Sequence, residues 1–145
     1  IWDKVMAVNA RGPFLMAKHA APHMMKAGYG KIVNVSSGTA YKGLPGMAAY
    51  VASKAAILGL TRTLAREFGP HGITVNSLAP GLTDSEGVID NPHHLEVAGK
   101  ILASRSIPRR AVPQDLAGAL VFLASPASDF MTGQTLAVDG GSINT

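Results

Sequence analysis

The order of elements in this 145-residue chain predicts an α/β fold built on half of a doubly wound parallel sheet. Three observations predict it. Segments with apolar residues at helical spacing alternate with short runs rich in β-branched residues. Those runs are almost continuously apolar, as strands covered on both faces of a parallel sheet tend to be. There are three of them, and such alternation sets helices on both faces of the sheet.

The elements follow in order. Residues 2 to about 27 read as one helix, with Val5, Val8, Phe14, Leu15 and Met16 at helical spacing, ended by Gly28-Tyr29-Gly30. Lys31 to Ser36 is the first strand, and a loop with Gly38, Gly43, Pro45 and Gly46 follows it. A second helix spans Ala48 to Phe68 and is closed by Gly69-Pro70. Ile73 to Leu78 is the second strand, stopped by Pro80-Gly81. Residues 82–112 hold polar turns and a short helix near Leu95 to Ser104. A stretch of this length between core elements is expected to act as a substrate loop or lid. Pro113 opens a helix from Asp115 to Ala124, and Thr135 to Val138 is the last strand. Repeats and linkers are lacking, so residues 1–145 are expected to form one partial domain. The sequence opens at Ile1 already in helix and closes on turn residues after a strand. The N-terminal βαβ units of the sheet are therefore expected to lie upstream of it.

Composition narrows the function. Hydrophobic residues make up 47% and charged residues 15%, the profile of a well-buried globular domain. Without cysteine there are no disulfides, thiolate metal sites or cysteine nucleophiles. The formal charge is +4, with basic residues scattered from Lys4 to Arg110, which speaks against a nucleic-acid surface. No apolar run nears the roughly 18 residues of a membrane span, and no signal peptide is visible. A cytoplasmic protein is the default expectation. His93 and His94 are adjacent and adjacent histidines usually point apart, so no metal site is expected.

The chemistry centres on Tyr50-Val51-Ala52-Ser53-Lys54. Four residues on a helix is about one turn, so Tyr50 and Lys54 share a face. A free phenol, with a pKa of about 10, is a poor acid or base near neutrality. A nearby ammonium favours the phenolate and makes a proton donor or acceptor for an alcohol oxygen. Ser37 follows the C-terminal end of a predicted strand, where open parallel sheets place their ligand crevices. Its hydroxyl can orient a carbonyl and steady charge on its oxygen. Asn9 lies four residues before Pro13. A helical proline has no N–H for the carbonyl at i−4, so the Asn9 carbonyl should be free and the helix locally kinked.

These residues and their neighbours carry a resemblance. Trp2-Asp3 through Val8-Asn9, Ile32 to Ser37, Tyr50 to Lys54, Ile73 to Asn76, Ala79-Pro80-Gly81, Thr132-Gly133-Gln134 and Val138 to Gly141 stand in the order and spacing of the short-chain dehydrogenase/reductase family. The tail from Ile107 to Gly141 is similar to that of bacterial 3-oxoacyl thioester reductases and short-chain alcohol dehydrogenases. The resemblance implies a Rossmann-like fold and a catalytic tetrad. Tyr50 would be the general acid/base. Lys54 would favour its phenolate and hold the nicotinamide ribose. Ser37 would bind the substrate oxygen, and Asn9 would hold a relay water through its main chain. Pro80, Gly81, Thr83 and Ser85 would line the nicotinamide, with Tyr50 and Lys54 also contacting the cofactor, NAD or NADP. The implied reaction is hydride transfer between that cofactor and a small-molecule secondary alcohol or ketone. A homodimer or homotetramer, packed through the first two helices, is implied as well.

Two departures qualify the expectation. The family's Gly-rich phosphate loop lies upstream of this sequence, and Gly43-Leu44-Pro45-Gly46 lacks the strand-turn-helix setting to replace it. The chain alone is thus expected to be inactive and the 2′-phosphate preference unreadable. Thr83 and Ser85 stand where the family usually shows an aliphatic residue and threonine. Enoyl reductases of the superfamily resemble a Tyr-x6-Lys spacing instead, which speaks against carbon–carbon double-bond reduction. The rival reading is a non-catalytic nucleotide-binding or structural member of the fold, which would typically lack the Tyr or the Lys. Val88, Ile89, Leu95 and Leu102 suggest a partly apolar substrate pocket.

Overall fold

Three pieces make up the N-terminal helical stretch: α1 (Trp2–Met6), a π-helical turn (Ala7–Arg11) and α2 (Gly12–Ala27). The predicted local break is present and takes the form of this π-turn. The Gly12 N–H bonds the Ala7 carbonyl five residues back, and Pro13 follows with no N–H of its own. Gly28 closes α2 at φ 68°. Its N–H meets the Met25 carbonyl at 3.1 Å, and the Tyr29 N–H meets that of Met24 at 3.3 Å. That Schellman pairing satisfies the last carbonyls of the helix, and its left-handed residue favours glycine. The structure, a computed structural model, describes residues 1–86 and 92–143, and of residues 92–97 the backbone alone.

β1 (Gly30–Val35), β2 (Ile73–Pro80) and β3 (Thr135–Val138) form one parallel sheet in the order β1-β2-β3. Val35 pairs with Leu78 and Pro80 with Val138, so the C-terminal strand ends gather along one edge. The predicted second strand extends to Pro80, which is tolerated at a strand end because the ladder asks little of its nitrogen there. A short helix, α3 (Thr39–Lys42), stands inside the predicted loop after β1. α4 (Ala48–Phe68) has the predicted bounds. α5 (Pro92–Ala103) begins earlier than expected, and α6 (Gln114–Ala124) one residue earlier.

The helices cover both faces. Ala17 and Ala21 of α2, Leu64, Ala65 and Phe68 of α4, and Ile73 and Val75 of β2 form one buried cluster, with Ile32 packed against it. Successive strand residues face opposite ways. Lys31 accordingly points to the other side, where it pairs with Asp129 at 2.7 Å just beyond α6. Leu123 of α6 is wholly buried there. Lys31 itself is thus an exception to the apolar pattern of β1, its charge matched across the sheet.

β1 forms an edge of the sheet among the described residues, and Val35 at its end is 49% exposed. β2, between two strands, is buried almost throughout. The first helical stretch shows the same feature, with Val8, Phe14 and Met16 exposed.

Candidate active site

The corner where β1 ends against α4 is stitched by two bonds running in opposite directions. The Ser36 hydroxyl donates to the Lys54 carbonyl at 2.7 Å. The Lys54 ammonium donates to the Val35 carbonyl at 3.0 Å. Lys54 thus hangs off one turn of α4 while its head is held by the strand end. Its ammonium stands 5.9 Å from the centre of the Tyr50 ring. Burial pushes the Lys54 pKa down, since desolvation disfavours the charged form. An ammonium has three N–H groups, and two of those on Lys54 have no acceptor among the described residues.

Asn9 joins the same corner from the π-turn. Its side-chain amide donates to the Ser53 hydroxyl at 3.1 Å, and that hydroxyl donates to the Tyr50 carbonyl at 2.7 Å. Ser53 is fully buried. The sequence pointed to the main chain of Asn9; its side chain also has work, fixing the π-turn to the turn of α4 that carries Tyr50. An open cleft of about 470 Å³ lies along the β1 edge, with Asn9, Pro13, Val35 and Lys54 in its wall.

Ser37 follows β1 and is buried. Its hydroxyl accepts from the Thr39 N–H at 3.2 Å and from the Thr39 hydroxyl at 3.0 Å, which leaves its own proton to donate. The next residue, Gly38, donates its N–H to the Pro80 carbonyl at 3.0 Å, tying the Ser37 turn to the end of β2. Asn9, Tyr50 and Lys54 are therefore joined by hydrogen bonds or ring contact. Ser37 reaches the group through adjacency along the strand and makes no hydrogen bond to Tyr50.

The segment after β2 is held from several sides. Gly81 donates to the Val138 carbonyl at 3.0 Å, and the Thr83 hydroxyl turns back to the Gly81 carbonyl at 3.0 Å. A Cβ on Gly81 would come within 2.7 Å of Asp139, so the close approach requires glycine. Ser85 makes no hydrogen bond among the described residues. The long loop is pinched shut at its base. The Asp84 N–H bonds the Ala111 carbonyl at 2.8 Å, and Arg110 pairs with Asp84 at 2.5 Å. Arg109 grips Asp115 with both guanidinium nitrogens and holds its carboxyl well below the usual range. Leu102 is half-buried on α5. Val88 and Ile89 lie outside the described residues, as do the side chains of Leu95, His93 and His94.

Two polar residues of the site escaped the sequence. Ser53 sits three residues after Tyr50, at a core-facing position where an apolar residue is expected; that mismatch was the available signal. Arg105 is only 9% exposed although it lies in a loop rich in polar residues, and nothing in its local sequence marks it as buried.

Against known proteins, residues 1–142 match a family model described as Enoyl-(Acyl carrier protein) reductase. An uncharacterized oxidoreductase of Thermotoga maritima is 43% identical over 145 residues, covering 97% of this chain and 58% of that protein. A 2-(S)-hydroxypropyl-CoM dehydrogenase of Xanthobacter autotrophicus is 41% identical over 144 residues, covering 97% and 56%. The solved structure of a gluconate 5-dehydrogenase from Burkholderia cenocepacia, in complex with NADP and tartrate, superposes with a TM-score of 0.89 at 36% identity, covering 97% of this chain and 55% of that one. The chain thus spans a little over half the length of the relatives it matches. With a parallel sheet, the Tyr50–Lys54 turn of α4 docked on the strand end and a family match over nearly its whole length, the chain belongs to the short-chain dehydrogenase/reductase family.

Proposed function

We propose that this chain carries the proton-transfer half of an NAD- or NADP-dependent oxidoreductase that interconverts a small secondary alcohol and the corresponding ketone. The observation that carries the proposal is the Lys54 ammonium, fixed on the Val35 carbonyl at 3.0 Å and 5.9 Å from the Tyr50 ring centre. A cation held beside the ring supports Tyr50 as the group that exchanges a proton with an alcohol oxygen.

The residues present suit the cofactor. Lys54 has two N–H donors without an acceptor among the described residues, fit for ribose hydroxyls. The Thr83 N–H has no acceptor among the described residues and can meet a carboxamide. Pro80, Gly81 and Ser85 would border the nicotinamide ring. When bound, a nicotinamide supplies or accepts the hydride. The chain's own residues handle the rest. In alcohol oxidation the hydroxyl proton passes to the Tyr50 oxygen as the carbon loses its hydride. Ser37 donates to the substrate oxygen. The Asn9 carbonyl, freed by Pro13, would hold a water through which the proton leaves. In reduction each transfer is reversed.

Relatives named as dehydrogenases of hydroxyl-bearing compounds support this reading. The family model's description names an enoyl reductase, but a Tyr-Lys pair one helical turn apart fits the alcohol chemistry better. The full protein would work as a homodimer or homotetramer. The exposed Val8, Phe14 and Met16 on the first helices support a subunit contact there. Among the described residues no helix is long and apolar enough to cross a membrane. The 145-residue chain alone would be inactive.

Replacing Tyr50 by phenylalanine in the intact protein tests the proposal. Turnover should fall by about a hundredfold or more, the usual worth of a positioned acid/base, with cofactor affinity little changed. Undiminished turnover would overturn it.

A further inference from the structure

Arg105 is a buried cation without a carboxylate partner among the described residues. One guanidinium nitrogen donates to the Arg109 carbonyl at 2.9 Å and the other to the Leu82 carbonyl. Its Nε is buried and unpartnered among the described residues. Asp139 lies nearby across Gly81, but its carboxylate is taken by the N–H groups of Gly141, Ser142 and Ile143 at 2.8–3.1 Å. Burying a guanidinium against carbonyls alone is costly. A merely structural position could be filled by an apolar residue of similar volume.

The grip on Leu82 has a geometric result. A trans peptide sets its C=O and N–H in opposite directions, and the chain contains no cis peptide among the described residues. Once the Leu82 carbonyl is drawn down to the buried Arg105, the N–H of the same peptide, that of Thr83, must point away from it. The Thr83 hydroxyl is occupied with the Gly81 carbonyl and does not compete. The Asp84 N–H, one residue on, is used by Ala111. Among the described residues the Thr83 N–H is unspent, and its direction is set by the peptide it shares with the Leu82 carbonyl, which Arg105 holds.

Resting on the dehydrogenase function proposed above, we infer that Arg105 is a positioning residue which, through the Leu82–Thr83 peptide, aims the Thr83 N–H at the carboxamide oxygen of the nicotinamide. It touches neither cofactor nor substrate. Its second bond, to Arg109, holds the returning limb of the loop against the same peptide. A lysine could hold one of the two carbonyls but not both, because its head is a single point rather than a fork.

The test uses the intact protein and two ligands measured by titration calorimetry: NADH or NADPH, whichever binds, and the matching ADP-ribose or its 2′-phosphate, which lacks the nicotinamide. Arg105→Met should weaken the dinucleotide about three- to tenfold, the worth of one neutral hydrogen bond. ADP-ribose affinity should stay within about twofold, because no bond to that part of the ligand passes through Arg105. Arg105→Lys should fall between wild type and Arg105→Met. In turnover the loss should appear in KM for the dinucleotide rather than in kcat. It should shrink with the thionicotinamide analogue, whose sulfur accepts weakly. Equal weakening of both ligands, or of neither, overturns the inference and leaves the dehydrogenase function standing. If Arg105→Met does not fold, the ratio of the two affinities in Arg105→Lys decides the matter. A wild-type protein that binds neither ligand overturns the function and the inference together.

Discussion

The corner between β1 and α4 and the base of the loop after β2 are held in different ways. The first is closed by neutral groups: serine hydroxyls and an asparagine amide against backbone carbonyls, with one ammonium among them. The second is closed by charges: Arg110 on Asp84, Arg109 on Asp115 and Arg105 on two carbonyls. The neutral corner joins two regular elements whose geometry is already set by the sheet and helix ladders. The loop base has no such ladder beyond a single bridge between Thr83 and Ala111, and ion pairs fix it instead. The difference is one of means: regular elements set the corner, and charges set the base of the loop.

Four changes would break or sharpen that contrast, beginning with the largest. Tyr50→Phe should cost the most, as given above, and do so without unfolding the corner, since the bonds there run through the Tyr50 carbonyl rather than its ring. Lys54→Met removes the ammonium that stands 5.9 Å from the Tyr50 ring centre and should lower turnover by about ten- to a hundredfold, towards the usual worth of a positioned proton-transfer group; unchanged turnover would refute the role given to Lys54. Ser53→Ala leaves the Asn9 amide without its acceptor and should cost about 1–3 kcal/mol of stability in urea unfolding, the penalty of an unmet buried donor. A smaller fall in turnover should accompany it, because the π-turn loses its tie to α4.

The smallest effect concerns the loop base. The Asp115 carboxyl is depressed first by its hydrogen bonds to Arg109, then by the Val112 N–H. A depressed carboxyl contributes stability above its unfolded pKa of about 3.9 and loses it only as pH falls through the lower folded value. Protease cleavage within residues 84–106 should therefore change little between pH 7 and pH 4 and rise only in stronger acid. Asp115→Asn should raise cleavage across that whole range. Equal resistance of the variant would show that Arg110 and Asp84 suffice to close the base.

How much of this was legible depends on sequence distance. Tyr50 and Lys54 stand one turn apart on one helix, so their common face could be read without knowing the fold. The break near Asn9 was legible too, because a proline lacks its N–H in any context. That the break is a π-turn, with one extra residue in the turn, was not. The bounds of α4 and β3 matched because glycine, proline and β-branched residues mark them locally. Arg105 was not legible. Its partner Leu82 lies 23 residues away, and only the close approach at Gly81 and Gly140 makes room for it.

By itself the sequence determined the class of the sheet, the family and the pair of groups at the centre of the chemistry, because each rests on local spacing. The tertiary structure alone decided that Lys54 is anchored on the Val35 carbonyl, that Asn9 reaches Tyr50 through Ser53, and that β1 is an edge with Val35 half bare. Those features depend on which distant segments meet. Hydrogen bonds act over about 3 Å, so their partners are fixed only once the packing of sheet and helices has brought those segments together.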